Sequence, residues 1–141
     1  MAVADENVSI WRLLWLGPLT VILSLAAVLA VRIAAFALVE LNGDYPPLTP
    51  TGLSIFTTFF VSLAVLVFAM VIKVSPTPIR TYRRIAIVAL VLSCIPDLFL
   101  PGQEGQPGAT WTAAIVLMVM HVAAWVPVRL ILTNPALIRR S

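Results

Sequence analysis

Charge is scarce in this sequence, and so are the residues that carry most chemistry. Only 11% of its 141 residues are charged, against roughly 25% in soluble proteins, so it lacks the means to clothe a soluble domain in a solvated surface. A single cysteine, Cys94, excludes an intrachain disulfide and a Cys-x-x-Cys redox pair, and its apolar neighbours make it a small core residue. A single histidine, His121, leaves no ligand set for zinc, which takes several nitrogen or sulfur donors. Met118 and Met120 beside it invite a haem reading, but there is no second His and no Cys-x-x-Cys-His motif. Methionines in apolar helices are usually core filler, so no cofactor and no metal is expected. No catalytic or nucleotide-binding motif, internal repeat or low-complexity segment stands out.

What the sequence has is hydrophobic length. Hydrophobic residues make up 61% of it, with a mean hydropathy of +1.05, which is the composition of an integral membrane protein. The net charge of +3 and pI near 9.8 do not point to nucleic acid. The bases sit at the ends of apolar segments, where they meet lipid phosphates. The densest run is Lys73–Arg84, which holds Lys73, Arg80, Arg83 and Arg84 and no acid.

Four spans are predicted, at about 12–39, 52–74, 80–100 and 110–133, with a hairpin at 75–79. Trp11, Arg12 and Trp15 mark a water boundary at the entry to the first span. An acidic start and the absence of a polar region after the apolar stretch argue against a cleaved signal peptide. Glu40–Pro47 is a turn with two acids and no base; Thr49-Pro50 or Thr51 is placed to cap the second helix. Thr77-Pro78 offers a cap to the third. Pro101–Gly108 is a second base-free turn, Trp111 opens the fourth helix, and Asn134-Pro135 stops it. Loops rich in Lys and Arg stay in the cytoplasm. The expected fold is therefore an all-α, antiparallel up-down bundle of four transmembrane helices, multi-pass in the cell membrane, with both termini cytoplasmic.

In lipid, helices associate through small and polar residues, so such residues at i, i+4 spacing should mark the inward faces. Helix one carries Thr20, Ser24 and Arg32, helix two Ser54, Thr58 and Ser62, helix three Ala89, Ser93 and Asp97, and helix four Ala114, His121 and Ala124. For each single Ser or Thr, a hydroxyl bonded to its own i−4 carbonyl is the simpler reading. Pro18, Pro96 and Pro127 interrupt helices, freeing the carbonyls of Leu14, Leu92 and Ala123. Pro96 adjoins Asp97, so a helix break and an ionisable group coincide.

Counting from Ile85 at about 1.5 Å per residue puts Asp97 in the outer third of the third span, and Arg32 at a similar level in the first. A carboxylate in lipid must be shallow, neutral or paired. Either Arg32 pairs with Asp97, or Arg32 snorkels outward while Asp97 is wet at a helix end; depth alone allows both, and Glu40 competes for Arg32. His121, mid-helix, reads as hydrogen-bonded to a neighbouring helix.

Trp11-Arg12-Leu13, Gly17-Pro18, Arg32, the basic hairpin and Met120–Ala124 together resemble a bacterial family of small four-span proteins catalogued only as a domain of unknown function. That resemblance implies four helices and a polar interior, and it brings no activity. Small multidrug transporters, which need a glutamate within the first span, and quinone-linked disulfide enzymes, which need paired cysteines, fit worse.

The functional expectation is a small binding or accessory protein. Its ligand-binding or relay candidates are Arg32, Asp97, His121, Thr58 and Ser93, taking a lipid, another apolar small molecule or a partner helix. The alternative is a proton-coupled transport unit working as a homo-oligomer, with Asp97 and His121 as relay groups. An intramembrane enzyme ranks third, for want of a nucleophile, metal set or cofactor motif.

Overall fold

Caps and prolines set the helix boundaries. In the computed structural model, which describes residues 8–102 and 107–138, a 3-10 turn at Ile10–Arg12 leads into α1 (Leu13–Leu38). A second turn, Pro46–Leu48, leads into α2 (Pro50–Val74), where Pro50 takes the first helical position and Thr49 Oγ1 accepts from the Gly52 N–H at 3.1 Å. Proline there gives up a hydrogen bond that no helix start uses. α3 (Pro78–Leu98) also opens on proline. Thr77 makes no side-chain cap; instead Ser75 Oγ accepts from the Thr77 N–H at 3.2 Å and lies 2.9 Å from Thr81 Oγ1. α4 (Trp111–Leu132) is capped by Thr110, whose hydroxyl accepts from the Ala113 N–H, and α5 (Pro135–Ile138) is one turn. The four long helices begin and end within two residues of the apolar segments read from the sequence. Of the charges behind the topology argument, Asp5, Glu6, Glu104, Arg139 and Arg140 lie outside the described residues.

The long helices pack as antiparallel neighbours. Ser24 meets Ala124 and Arg12 meets Leu137, so α1 and α4 run in opposite directions. Contacts from Trp125 to Ala86 and from Arg83 to Thr133 do the same for α3 and α4. α1 packs most extensively on α4 and α2, and α3 on α4. α1 and α3 are thus diagonal, with α4 between them.

Two apolar clusters fill the interior. At the end carrying the basic hairpin, Phe68 and Tyr82 pack with tilted rings, 4.7 Å between centroids, surrounded by Ile79, Val128, Leu132 and Ile138. At the opposite end, Tyr45 and Leu48 from the first loop pack on Val28, Leu53, Leu117 and Met120. The outer surface is apolar as well: Trp15 is 84% exposed, Leu38 82%, and Phe56, Phe59 and Phe60 all face outward. Apolar exposure on this scale marks a membrane-facing surface. α1 with its entry turn, α2 and α4 are each long and apolar enough to cross a membrane. α3 falls outside that set because Arg80, Arg83 and Arg84 crowd one end and Asp97 the other.

The small-and-polar rule finds the inward face of α1, where Thr20 and Ser24 are fully buried and Arg32 half-buried, and of α4, where Ala114 is buried. On α2 it errs by one residue: Thr58 is exposed, and the buried row is Leu53, Thr57, Val61, Phe68 and Val71. One residue is about 100° of rotation. On α3, Ala89 is exposed and Ser93 half-buried, while Ile79, Tyr82 and Ala86 face inward. The cause is shape. The Phe68–Tyr82 contact sets the facing of both helices, and Tyr82 secures it by donating to the Ala64 carbonyl at 3.0 Å.

Candidate functional site

Asp97 stands in the last turn of α3, only 6% exposed. Its partner is His121, whose Nδ1 lies 3.2 Å from Asp97 Oδ2. Among the described residues this is the one ion-pair contact; of the two alternatives for Asp97, it rules out the pair with Arg32, and the burial of Asp97 rules out a carboxylate wet at a helix end. Arg32 is on α1, diagonal to α3; its Nε donates to the Leu48 carbonyl at 2.7 Å and its guanidinium lies 4.4 Å over the Phe36 ring. Arg32 therefore holds the first loop against α1. Glu40, the competing partner, is exposed.

The depth of Asp97 also differs from the count along its own helix. α3 ends at Leu98, one residue past Asp97, whereas α4 continues ten residues from His121 to Trp111, about 15 Å further. Asp97 is thus level with the middle of α4. Above the shortened end of α3, the first loop folds back inward. Its Tyr45 is 1% exposed and Leu48 wholly buried. Gly108 lets the second loop close over it: its φ is 96°, and a Cβ there would stand 2.9 Å from Asn42 Cβ and 3.0 Å from Tyr45 Cβ. Both the backbone conformation and the contact exclude a side chain.

His121 Nδ1 faces two oxygens, the Leu117 carbonyl at 2.8 Å and Asp97 Oδ2 at 3.2 Å. Two acceptors at one nitrogen require the proton to sit on Nδ1. That hydrogen is spent on Leu117, and Asp97 Oδ2 is left buried with a charge contact but no hydrogen bond. The His121 side chain is 36% exposed, and its Nε2 is the nitrogen at which charge can change without breaking the Nδ1 contacts. Tyr45 supplies a second unspent group, a buried hydroxyl with no hydrogen-bond partner among the described residues. Burial first, and the Asp97 carboxylate second, push the Tyr45 phenol above its ordinary pKa. Native interiors rarely leave such buried atoms unsatisfied.

The remaining candidates separate from this cluster. Ser93, one turn before Asp97, donates to its own Leu90 carbonyl at 2.8 Å. Thr58 faces outward on α2. Cys94 is a half-buried free thiol. Among the described residues no three His, Cys, Asp or Glu side chains converge on a metal position. Tyr45 is the member that sequence reasoning missed. It sits among turn residues, Asp44 before it and Pro46-Pro47 after it, and the one available signal was an aromatic ring in a loop that had no need of one.

The comparisons with known proteins bear on this arrangement only through family membership. Residues 8–136 match the model of DUF6069, a family of unknown function, and the chain belongs to that family. No curated protein and no solved structure matches it.

Proposed function

We propose that this is a small cell-membrane protein of four spans, both termini cytoplasmic, that works as a binding or accessory unit through Asp97, His121 and Tyr45. The fourth span in this reading is α3, whose 21 residues cover about 31 Å at the helical rise. Its arginines sit at one end, as the positive-inside rule asks. The observation that carries the binding reading is that two buried polar atoms, Asp97 Oδ2 and the Tyr45 hydroxyl, each lack a hydrogen-bond partner among the described residues, with the Asp97 charge near enough to act on the phenol. A carboxylate and a phenol suit a ligand or partner helix that presents a hydrogen-bond donor from within the membrane. Native mass spectrometry of the protein released from lipid tests this. The wild type should retain a small molecule or partner that Asp97→Asn and Tyr45→Phe lose. Equal retention by all three would end the reading.

A second reading, a proton-coupled transport unit, is favoured by one observation: Nδ1 is held between two oxygens, which leaves Nε2 to take and release a proton. Proton flux in liposomes that disappears with His121→Phe at unchanged melting temperature would establish it over the first.

A further inference from the structure

The outer surface carries an apolar groove between α1 and α2, in the half nearer the basic hairpin. It has a volume of about 560 Å³ and lies open to the surrounding surface. Gly17 and Val65 form its floor, and a Cβ on Gly17 would meet Val65 Cγ1 at 3.1 Å. Ser62 stands at its far end on α2.

Three observations define what fits there. A partner helix needs small residues at the surface so that backbones can approach. Here the one glycine is already covered by Val65, and Leu14, Ile22 and Leu66 rise beside the groove at 67%, 63% and 61% exposure. These rims keep a helix off the floor but admit a single flexible chain. The second observation is charge. Lys73 follows Ser62 by eleven residues, about three turns at 3.6 residues each, so it lies on the groove face of α2 at the hairpin end. It is exposed and has no hydrogen-bond or ion partner among the described residues. Of the other bases at that end, Arg12 is engaged with the Leu137 carbonyl and Arg83 with Thr133, Arg80 and Arg84 are exposed on α3 rather than on the groove face of α2, and no acid lies there among the described residues. The third is the exposed pair Trp11 and Trp15, the kind of ring that seats at headgroup level.

We infer that the α1–α2 groove is a binding site for one anionic phospholipid, an acyl chain lying on Gly17 and Val65 and the headgroup phosphate on Lys73. The site stands apart from Asp97 and His121, so it holds or fails independently of the proposed function. The full chain in nanodiscs of equal phosphatidylglycerol and phosphatidylcholine tests it, with native mass spectrometry reading the lipid retained after release. The wild type should keep one phospholipid, with about a fivefold preference for phosphatidylglycerol, the equivalent of the about 1 kcal/mol that one Lys contributes at an anionic surface. Lys73→Gln should keep a lipid but lose the preference. Ser62→Phe, which fills the groove from its half-buried lining, should lose the lipid, and Asp97→Asn should retain it with the same preference. Retention unchanged by Ser62→Phe, a preference that survives Lys73→Gln, or a second copy of the chain bound in place of lipid would each overturn the assignment.

Discussion

His121 on α4 and Asp97 on α3 meet at 3.2 Å, yet the hydrogen on His121 Nδ1 belongs to the Leu117 carbonyl at 2.8 Å. The contact between the two side chains sets the size of the first expectation. Single substitutions Asp97→Ala and His121→Ala should be non-additive, with a coupling of about 0.5–2 kcal/mol, since interhelical polar contacts in membranes average about 0.6 and reach about 1.7. Arg32→Ala combined with Asp97→Ala should be additive, because the two touch different partners. Coupling in the Arg32 cycle and none in the His121 cycle, measured by unfolding in detergent, would reverse the assignment.

Arg32 latches the first loop. Arg32→Gln removes a charged donor from the Leu48 carbonyl, a bond worth about 1.5–3 kcal/mol. Amide hydrogen exchange over residues 45–49 should speed up while α4 stays protected. Unchanged exchange in that loop would mean that Gly108 and Tyr45 hold it without Arg32.

Tyr45 adds a pH dependence at the alkaline end. Its folded pKa is raised above the ordinary 10.0 by burial and then by Asp97. The folded state therefore holds the phenolic proton when the unfolded chain has begun to release it. That contribution is complete below pH 10, about the unfolded pKa, and is lost as pH rises through the folded value. Melting temperature should fall above pH 10 more steeply in the wild type than in Tyr45→Phe. Parallel curves would show that the hydroxyl is solvated.

The facing of α2 is open to a direct test. Thr57 is buried and Thr58 exposed. Thr57→Leu overpacks the interior and should cost about 1–3 kcal/mol; Thr58→Leu faces lipid and should stay within about 0.5 kcal/mol of wild type. The opposite order in a thermal-shift series would restore the face that hydroxyl spacing predicts.

Topology is the prediction that most depends on the membrane. In a Cys94→Ala background, a cysteine at Asp44 should react with an impermeant thiol reagent applied to intact cells, and one at Arg80 should not. Outside labelling at Arg80 would invert the whole arrangement.

Composition and punctuation determined the helices. Apolar runs between Pro50, Pro78 and the turn residues at 39–49 and 99–110 leave few other ways to satisfy a backbone in lipid, and every long helix lies where those signals place it. Part of the polar interior was also legible: Ser24 crosses to the Ala124 carbonyl at 2.9 Å, and Asp97 and His121 are in contact, whereas Thr57 and Tyr45 were not read as inward. The pairing of Asp97 with His121 was not legible. A count along one helix gives a depth on that helix, but it carries neither the order of helices around the interior nor their relative height. The diagonal placement of α1 and α3 separated Arg32 from Asp97, and the early end of α3 brought Asp97 level with His121. The same gap left a space that Tyr45 fills from a loop. Side-chain shape decided these points, through Phe68 against Tyr82 and Gly108 against Tyr45, and shape acts only when the surfaces of distant segments meet.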